Sequence, residues 1–210
     1  MNIKGENKKF WDRIAKRYDR ITMRLTRDYP SLIQRIINDA NGAENVLEVA
    51  TGTGLIAIEL AGKAGRIEAI DFSPQMIEFA KDKAFKDRIE NIYFSVQSAY
   101  SLEFEAAQFE VAICSNALHC MVNPGKALLE IRRVLKENGV LIAPTFCHGE
   151  NWRSRLLSRL MSLTGFKSYH RFRTGEFFDL LTSSGFEIIK KEISKDFIPL
   201  AYVSARAISS

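Results

Sequence analysis

The chain has 210 residues, of which 46% are hydrophobic and 26% charged, with 12 glycines and 5 prolines, a composition that excludes disordered, collagen-like and low-complexity architectures. At this length one core with an inserted lid is favoured over two full domains. The net charge of +5 is local: residues 1–27 carry nine Lys/Arg against three Asp/Glu and residues 149–175 six against one, on a mildly acidic body.

Phe10, Ile14 and Tyr18, then Leu32, Ile33, Ile36 and Ile37, recur at helical spacing and predict two opening helices over 7–19 and 30–40. The short β-branched run Asn45-Val-Leu-Glu-Val-Ala50 reads as a strand that breaks at Thr51-Gly-Thr-Gly54 before a helix over 55–62. The unit repeats as a strand from Arg66 to Asp71, with Ser73 as N-cap, Pro74 at the first helical position and a helix to about Ala84. Strands follow at 92–96, 111–115 and 140–146, with a helix from Asn123-Pro124 to Lys136 between the last two. After a basic insert, 174–184 reads as a helix closed by Gly185. The strands 186–193 and 197–205 are joined too tightly for a parallel crossover and predict an antiparallel hairpin. The expected fold is therefore α/β: a Rossmann-like, seven-stranded, mostly parallel sheet ending in that hairpin, with helices on both faces. Residues 1–210 form a single domain in this reading, with 1–42 as a helical cap and 149–173 as a lid.

Gly52-Thr-Gly54 followed by Ala57 opens a helix directly after a strand, and Asp71 lies 19 positions after Gly52 at the tip of the next strand. Glycines let backbone N–H groups approach a ligand at a helix N-terminus, and a carboxylate there accepts from both ribose hydroxyls. Dinucleotides and other adenosine cofactors share this arrangement. Glu48 separates them, because a carboxylate in an apolar strand must face a polar ligand or accept N–H bonds from the turn, and an ammonium-bearing ligand asks for an acidic neighbour.

With VLEVATGTG as a first motif, the sequence resembles the class I S-adenosylmethionine-dependent methyltransferases over nearly its whole length. Asp71-Phe-Ser-Pro-Gln-Met76 is similar to the second motif, Gln97-Ser-Ala99 to the third, Phe109 to His119 to the fourth, and Asn123 to Gly139 to the helix and glycine before the fifth strand. Ala50 in place of the usual first glycine, and the opening Phe10-Trp-Asp-Arg-Ile-Ala-Lys-Arg-Tyr-Asp19, resemble the ubiquinone and menaquinone biosynthesis C-methyltransferases. The resemblance implies S-adenosylmethionine as cofactor, S-adenosylhomocysteine as product, and cofactor contacts from Tyr18, Glu48, Ala50, Thr51, Gly52, Thr53, Gly54, Asp71, Phe72, Met76, Gln97, Ser98, Ala99, Ser115 and Asn116. Asp71 takes the ribose, Phe72 and Met76 the adenine, and Ser98 stands where the family usually has an acidic residue for the adenine amine.

Methyl transfer from a sulfonium is an in-line displacement that needs mostly proximity and orientation. His119 is the candidate base where the acceptor must lose a proton. Asn116-Ala-Leu-His119 lacks the signature of nucleobase-amine methyltransferases, so a small-molecule or lipid-like acceptor is expected, and no nucleic acid. An NAD-dependent oxidoreductase lacks a catalytic partner here, and a non-catalytic S-adenosylmethionine-binding partner is the third reading. No metal site is expected, since Cys114, His119 and Cys120 lack a sensibly spaced fourth ligand. Within the insert, Trp152, Leu156, Leu160 and Leu163 fall along one side of a helical wheel and Arg155, Arg159 and serines along the other. The apolar side is expected to close over bound substrate, and the basic side to attract an anionic acceptor or an anionic membrane surface. A charged N-terminus without a signal-like apolar run, no stretch of about 18 apolar residues, and an odd number of cysteines, three, read as reduced thiols, predict a cytoplasmic protein.

Overall fold

A computed structural model describes residues 7–25, 29–194 and 198–208. Helices α1 (Lys8–Leu25) and α2 (Tyr29–Ala40) lead into β1 (Asn45–Val49), α3 (Leu55–Leu60), β2 (Arg66–Asp71), α4 (Pro74–Lys86), β3 (Ile92–Val96) and β4 (Phe109–Ile113). A short 3₁₀ turn (Leu118–Cys120) precedes α5 (Pro124–Val134), β5 (Leu135–Ile142), β6 (Thr145–Phe146), α6 (Trp152–Ser162), α7 (Thr174–Ser183), β7 (Phe186–Ile193) and β8 (Leu200–Ala207).

The strands form one sheet in the order β3-β2-β1-β4-β5-β8, with β7 on the far side of β8. The first five are parallel, whereas β8 is antiparallel to β5 and β7. The sheet has eight strands rather than seven because Pro144 interrupts the fifth, and β6 resumes the pairing along the same edge of β8. The regular part of β5 begins at Val140, as the β-branched run predicts; the register shift between Phe109 and Val111 places Leu135 in the strand as well.

Alternation along β1 sends Val46 into a core shared with α2 and α3, and Leu47 and Val49 into a core shared with α5 and α7. Leu32, Ile33, Ile36 and Ile37 of α2 are all buried, each worth about 2 kcal/mol of apolar transfer, which holds α2 to the sheet. Ser73 caps α4 by accepting from Met76 N–H at 3.2 Å, and Asn123 caps α5 by accepting from Lys126 N–H at 3.0 Å, with proline at the start of each helix. Strand order reverses between β1 and β4, so the crevice at their carboxyl ends is where an open α/β sheet binds ligands.

Candidate active site

The turn after β1 is built on left-handed backbone at Ala50 (φ 57°), Gly52 (φ 58°) and Gly54 (φ 76°). For Ala50 that conformation is strained, a cost concentrated at sites that hold a fixed loop shape. Asp71 pins the turn: one carboxylate oxygen accepts from Gly52 N–H at 2.9 Å and the other from Ser73 N–H at 2.9 Å. Glu48 lies beneath it, buried, accepting from the Thr51 hydroxyl at 2.6 Å and Ala57 N–H at 3.0 Å. Burial pushes this carboxyl up to about 7. Of the two ways to tolerate Glu48 in an apolar strand, the structure uses bonds to the turn and the helix behind it; Glu48 does not reach the pocket wall. Gly54 also stands off the wall, and a Cβ there would meet Ala80 and the Phe94 ring at 3.1 Å, so this glycine lets α3 start hard against α4 and β3.

The pocket lies over the ends of β1, β2, β3 and β4. Its wall includes Tyr18, Ala50, Gly52, Asp71, Phe72, Met76, Gln97, Ala99, Ser115 and Asn116, ten of the fifteen positions expected from sequence. Glu48, Thr51 and Gly54 form its underside, and Thr53 binds Asp19. Ser98 does not line the wall: its hydroxyl accepts from Tyr100 N–H at 3.2 Å, and Gln97, Ala99 and Tyr100 line it. The reason is local: residues 98–101 close a tight turn, with Ser101 N–H donating to the Ser98 carbonyl at 3.1 Å.

Helix α1 roofs the pocket. Trp11 and Tyr18, two turns apart, line it, and Asp12 and Asp19, their neighbours at the same spacing, strap the helix down. Asp12 accepts from the Ser73 hydroxyl at 2.5 Å, and Asp19 accepts from the Thr53 hydroxyl and pairs with Lys83 at 2.9 Å. Burial pushes the Tyr18 phenol up to about 12, so it stays protonated. Trp11, Tyr100, Cys120 and Met121 also line the pocket, though the sequence did not place them among the cofactor contacts; for Trp11 the seven-residue spacing to Tyr18 on an amphipathic helix was the available signal.

Past β4, Ser115 Oγ and Asn116 Oδ1 are buried on the wall without a hydrogen-bond partner among the described residues. Buried polar atoms left unpaired cost about 1–3 kcal/mol each, which favours a ligand able to pair them. His119 does not line this pocket. It is buried in the 3₁₀ turn with its ring 5.1 Å from that of His148. Burial and the neighbouring imidazoles push His119 down to about 3, and burial and Arg171 push His148 down to about 4, so both rings are neutral near pH 7.

These features match a known family: its sequence profile, described as a methyltransferase domain, covers residues 40–164. The chain belongs to the class I S-adenosylmethionine-dependent methyltransferases. Among curated relatives, the methyltransferase is 32% identical over 154 residues to the ubiquinone/menaquinone biosynthesis C-methyltransferase UbiE of Citrifermentans bemidjiense, covering 70% of this chain and 66% of that protein. It is 32% identical over 141 residues to the demethylmenaquinone methyltransferase of Leptospira interrogans, covering 63% of this chain and 57% of that one. The match thus spans about two thirds or less of these relatives' length. A solved S-adenosylmethionine-dependent methyltransferase from Methanosarcina mazei superposes with a TM-score of 0.70 at 22% identity, over 83% of this chain and 98% of that one. The [4+2]-cyclase SpnF does so at 0.71 and 21% identity, over 86% and 81%. At such identities the likeness is one of fold alone.

The methyltransferase's basic insert differs from expectation in how α6 faces. Trp152, Leu156, Leu160 and the following Leu163 are 50–83% exposed, while Ser154 and Ser158 are buried. The serines are drawn inward by specific partners: Ser154 donates to the His148 carbonyl at 3.0 Å, and Ser158 accepts from the Arg171 guanidinium at 3.0 Å. The apolar stripe therefore points away from the body. Beyond it, Phe166 packs against Phe10 and Trp11 of α1, which ties the insert to the roof of the pocket.

Proposed function

We propose that this protein transfers a methyl group from S-adenosylmethionine to a small, lipid-like acceptor, with residues 1–42 as a cap and 149–173 as a lid over the site. The observation that carries the reading is convergence: the strained turn after β1, the carboxylate at the tip of β2 and the Gln97–Ala99 segment after β3 face one pocket roofed by Trp11 and Tyr18. The residues present fit the cofactor. Gly52 has no Cβ to intrude, Asp71 would accept from the ribose hydroxyls, Phe72 and Met76 would flank the adenine, and Ser115 and Asn116 would bring polar atoms without a partner among the described residues to the donor end. Bound there, S-adenosylmethionine supplies an electrophilic methyl on a sulfonium, whose electron pair stays on sulfur as the methyl leaves. Asp71 and the glycine turn would hold the nucleoside. Tyr18 and Trp11 exclude water from above. Glu48 holds the turn by bonding Thr51 and Ala57 rather than by touching the ligand. What decides the rate in this arrangement is alignment of the acceptor with the sulfur–methyl bond.

The names of the relatives support a quinone-like, lipid-soluble acceptor, and the exposed face of α6 supports where it is met. Among the described residues no helix is long and apolar enough to cross a membrane. A helix with Trp and Leu on one side and flanking Arg153, Arg155 and Arg159 instead lies in the interface of an anionic bilayer. The exposed Lys and Arg of α1, joined to the insert through Phe166, extend the same basic surface, and the enzyme works from the cytoplasmic side. Labelled S-adenosylmethionine incubated with cell extract tests the activity: a labelled product in the organic-soluble fraction is expected, and label confined to macromolecules, or none, overturns it. Sedimentation with vesicles tests the surface. Phosphatidylglycerol vesicles should carry the protein down at low salt and less at high salt, phosphatidylcholine should not, and Leu156→Glu should abolish the effect; binding to neither lipid refutes it.

A further inference from the structure

The two edges of the sheet are built differently. β7 closes one edge with Glu187, Lys190, Lys191 and Glu192 and an irregular register between Ile188 and Lys190. Charged side chains and a broken register are the usual means by which an edge strand turns away another strand. β3 ends the sheet on the other side as Ile92-Tyr-Phe-Ser-Val96, with no charge, no proline and an unbroken register along β2. The uncharged run continues from Asn91 to Leu102. Tyr93 and Val96 are 45% and 50% exposed, and Phe85, at the end of the helix that packs on β3, is 86% exposed, the highest value of any large hydrophobic side chain among the described residues. An open strand edge and exposed apolar side chains thus lie together, with none of the devices that guard β7.

The backbone bonds of β3 fix which groups the edge presents. Ile67 N–H donates to the Asn91 carbonyl at 2.9 Å, and Gln97 N–H donates to the Asp71 carbonyl at 3.1 Å. Alternation between these two bonds turns the N–H and C=O of Tyr93 and Ser95 toward β2, and those of Ile92, Phe94 and Val96 outward. Three outward residues centred on Phe94 suit an antiparallel mate related by a two-fold axis, and the same strand used twice meets that condition. Phe94 then faces Phe94 of the second copy and Ile92 faces Val96 at both ends, with about six backbone hydrogen bonds between the strands. The β-branched Ile92 and Val96 form a favourable cross-strand pair, and no charge meets a like charge from Asn91 to Gln97. Outside the strand, exposed Lys86 and Arg88 precede it, with Asp87 and Glu90, while exposed Glu103 and Glu105 follow it. Antiparallel pairing sets each entry against the other copy's exit, so the two acidic exits face cations; parallel pairing would set exit against exit.

We propose that β3 is an interaction surface whose partner is a second copy of this chain, paired antiparallel across a two-fold axis at Phe94 so that two sheets become one. Because the β7 edge is guarded, the assembly closes at two copies. This pairing is independent of the methyl-transfer reading above.

Sedimentation velocity of the full chain over a dilution series tests it. A monomer–dimer equilibrium with no larger species is expected. Val96→Lys, which brings a charge into the pairing opposite Ile92, should weaken the dimer at least tenfold. Ile189→Lys, the same change at a 49% exposed position on β7, should leave the dissociation constant within twofold. A second measurement needs no variant. Amide hydrogen exchange of the wild type, compared between dilute and concentrated samples, should slow at least tenfold on concentration at Ile92, Phe94 and Val96 and stay unchanged at Tyr93, Ser95 and Gln97, whose N–H groups already face β2. A monomer at every concentration overturns the proposal, including the case in which a strand of some other protein takes the edge instead. A dimer that keeps its full affinity in Val96→Lys, or exchange that slows without this alternation, places the contact elsewhere and overturns it as well.

Discussion

Replacing Asp71 by alanine removes the acceptor of two backbone donors at once, Gly52 N–H and Ser73 N–H, each at 2.9 Å. Hydrogen bonds to a charged acceptor contribute about 1.5–3 kcal/mol each, and both donors are buried, so the loss is about 3–6 kcal/mol. For a domain of this size each kcal/mol moves Tm by about 2–4 °C, and the ligand-free Asp71→Ala protein should melt at least about 6 °C below wild type. Asp71→Asn keeps an oxygen for one donor but sets an amide N–H₂ against the other, so it should fall between the two. Scanning calorimetry with and without S-adenosylhomocysteine separates the two duties of this side chain. At a hundredfold excess over Kd the ligand stabilises wild type by about 2.7 kcal/mol, and Asp71→Ala should show a clearly smaller increment on its lower baseline. A ligand-free Asp71→Ala protein melting within about 1 °C of wild type would refute the pinning of the two turns. A full ligand increment on a lowered baseline would refute the ribose contact and leave only the pinning.

Three further outcomes follow from the site. Because burial raises Glu48 from 4.5 to about 7 in the fold, the proton it retains stabilises the native state fully below about pH 4.5, and that contribution, up to about 3 kcal/mol, is lost as pH rises through about 7. Urea midpoints at pH 5 and pH 8 should show this slope in wild type, while Glu48→Gln should lack it and be the more stable protein at pH 8. Ser98→Asp should leave S-adenosylhomocysteine affinity within twofold by calorimetry, because position 98 faces Tyr100 N–H rather than the pocket; a tenfold gain would place this residue on the adenine. The two tryptophans should report separately: cofactor should change emission in Trp152→Phe but not in Trp11→Phe, and anionic vesicles should do the reverse, since Trp11 lines the pocket and Trp152 is 69% exposed.

Periodicity and punctuation made the sheet, the glycine turn, the cap at Ser73, the helix start at Asn123-Pro124 and the terminal hairpin legible, since each follows from a local rule that tertiary contacts reinforce. Pro144 was visible, and it is what splits the fifth strand into two. What stayed hidden depends on which of two permitted partners a side chain takes. Glu48 had a stated choice between ligand and turn, and only geometry shows it bonded to Thr51 and Ala57. The wheel of α6 identified its apolar stripe correctly but not its direction, because two serines with partners at His148 and Arg171 outweigh a hydrophobic face that solvent or lipid can meet. His119 stood at the expected place in the chain, yet its ring turns toward His148, a residue 29 positions later that no spacing rule connects to it.

Calorimetric titration of the wild-type protein with S-adenosylhomocysteine, run beside NAD under the same conditions, tests the assignment of the pocket most directly. The structure predicts saturable one-to-one binding of S-adenosylhomocysteine and no heat of binding with NAD; saturable NAD binding, or silence with both ligands, would contradict it.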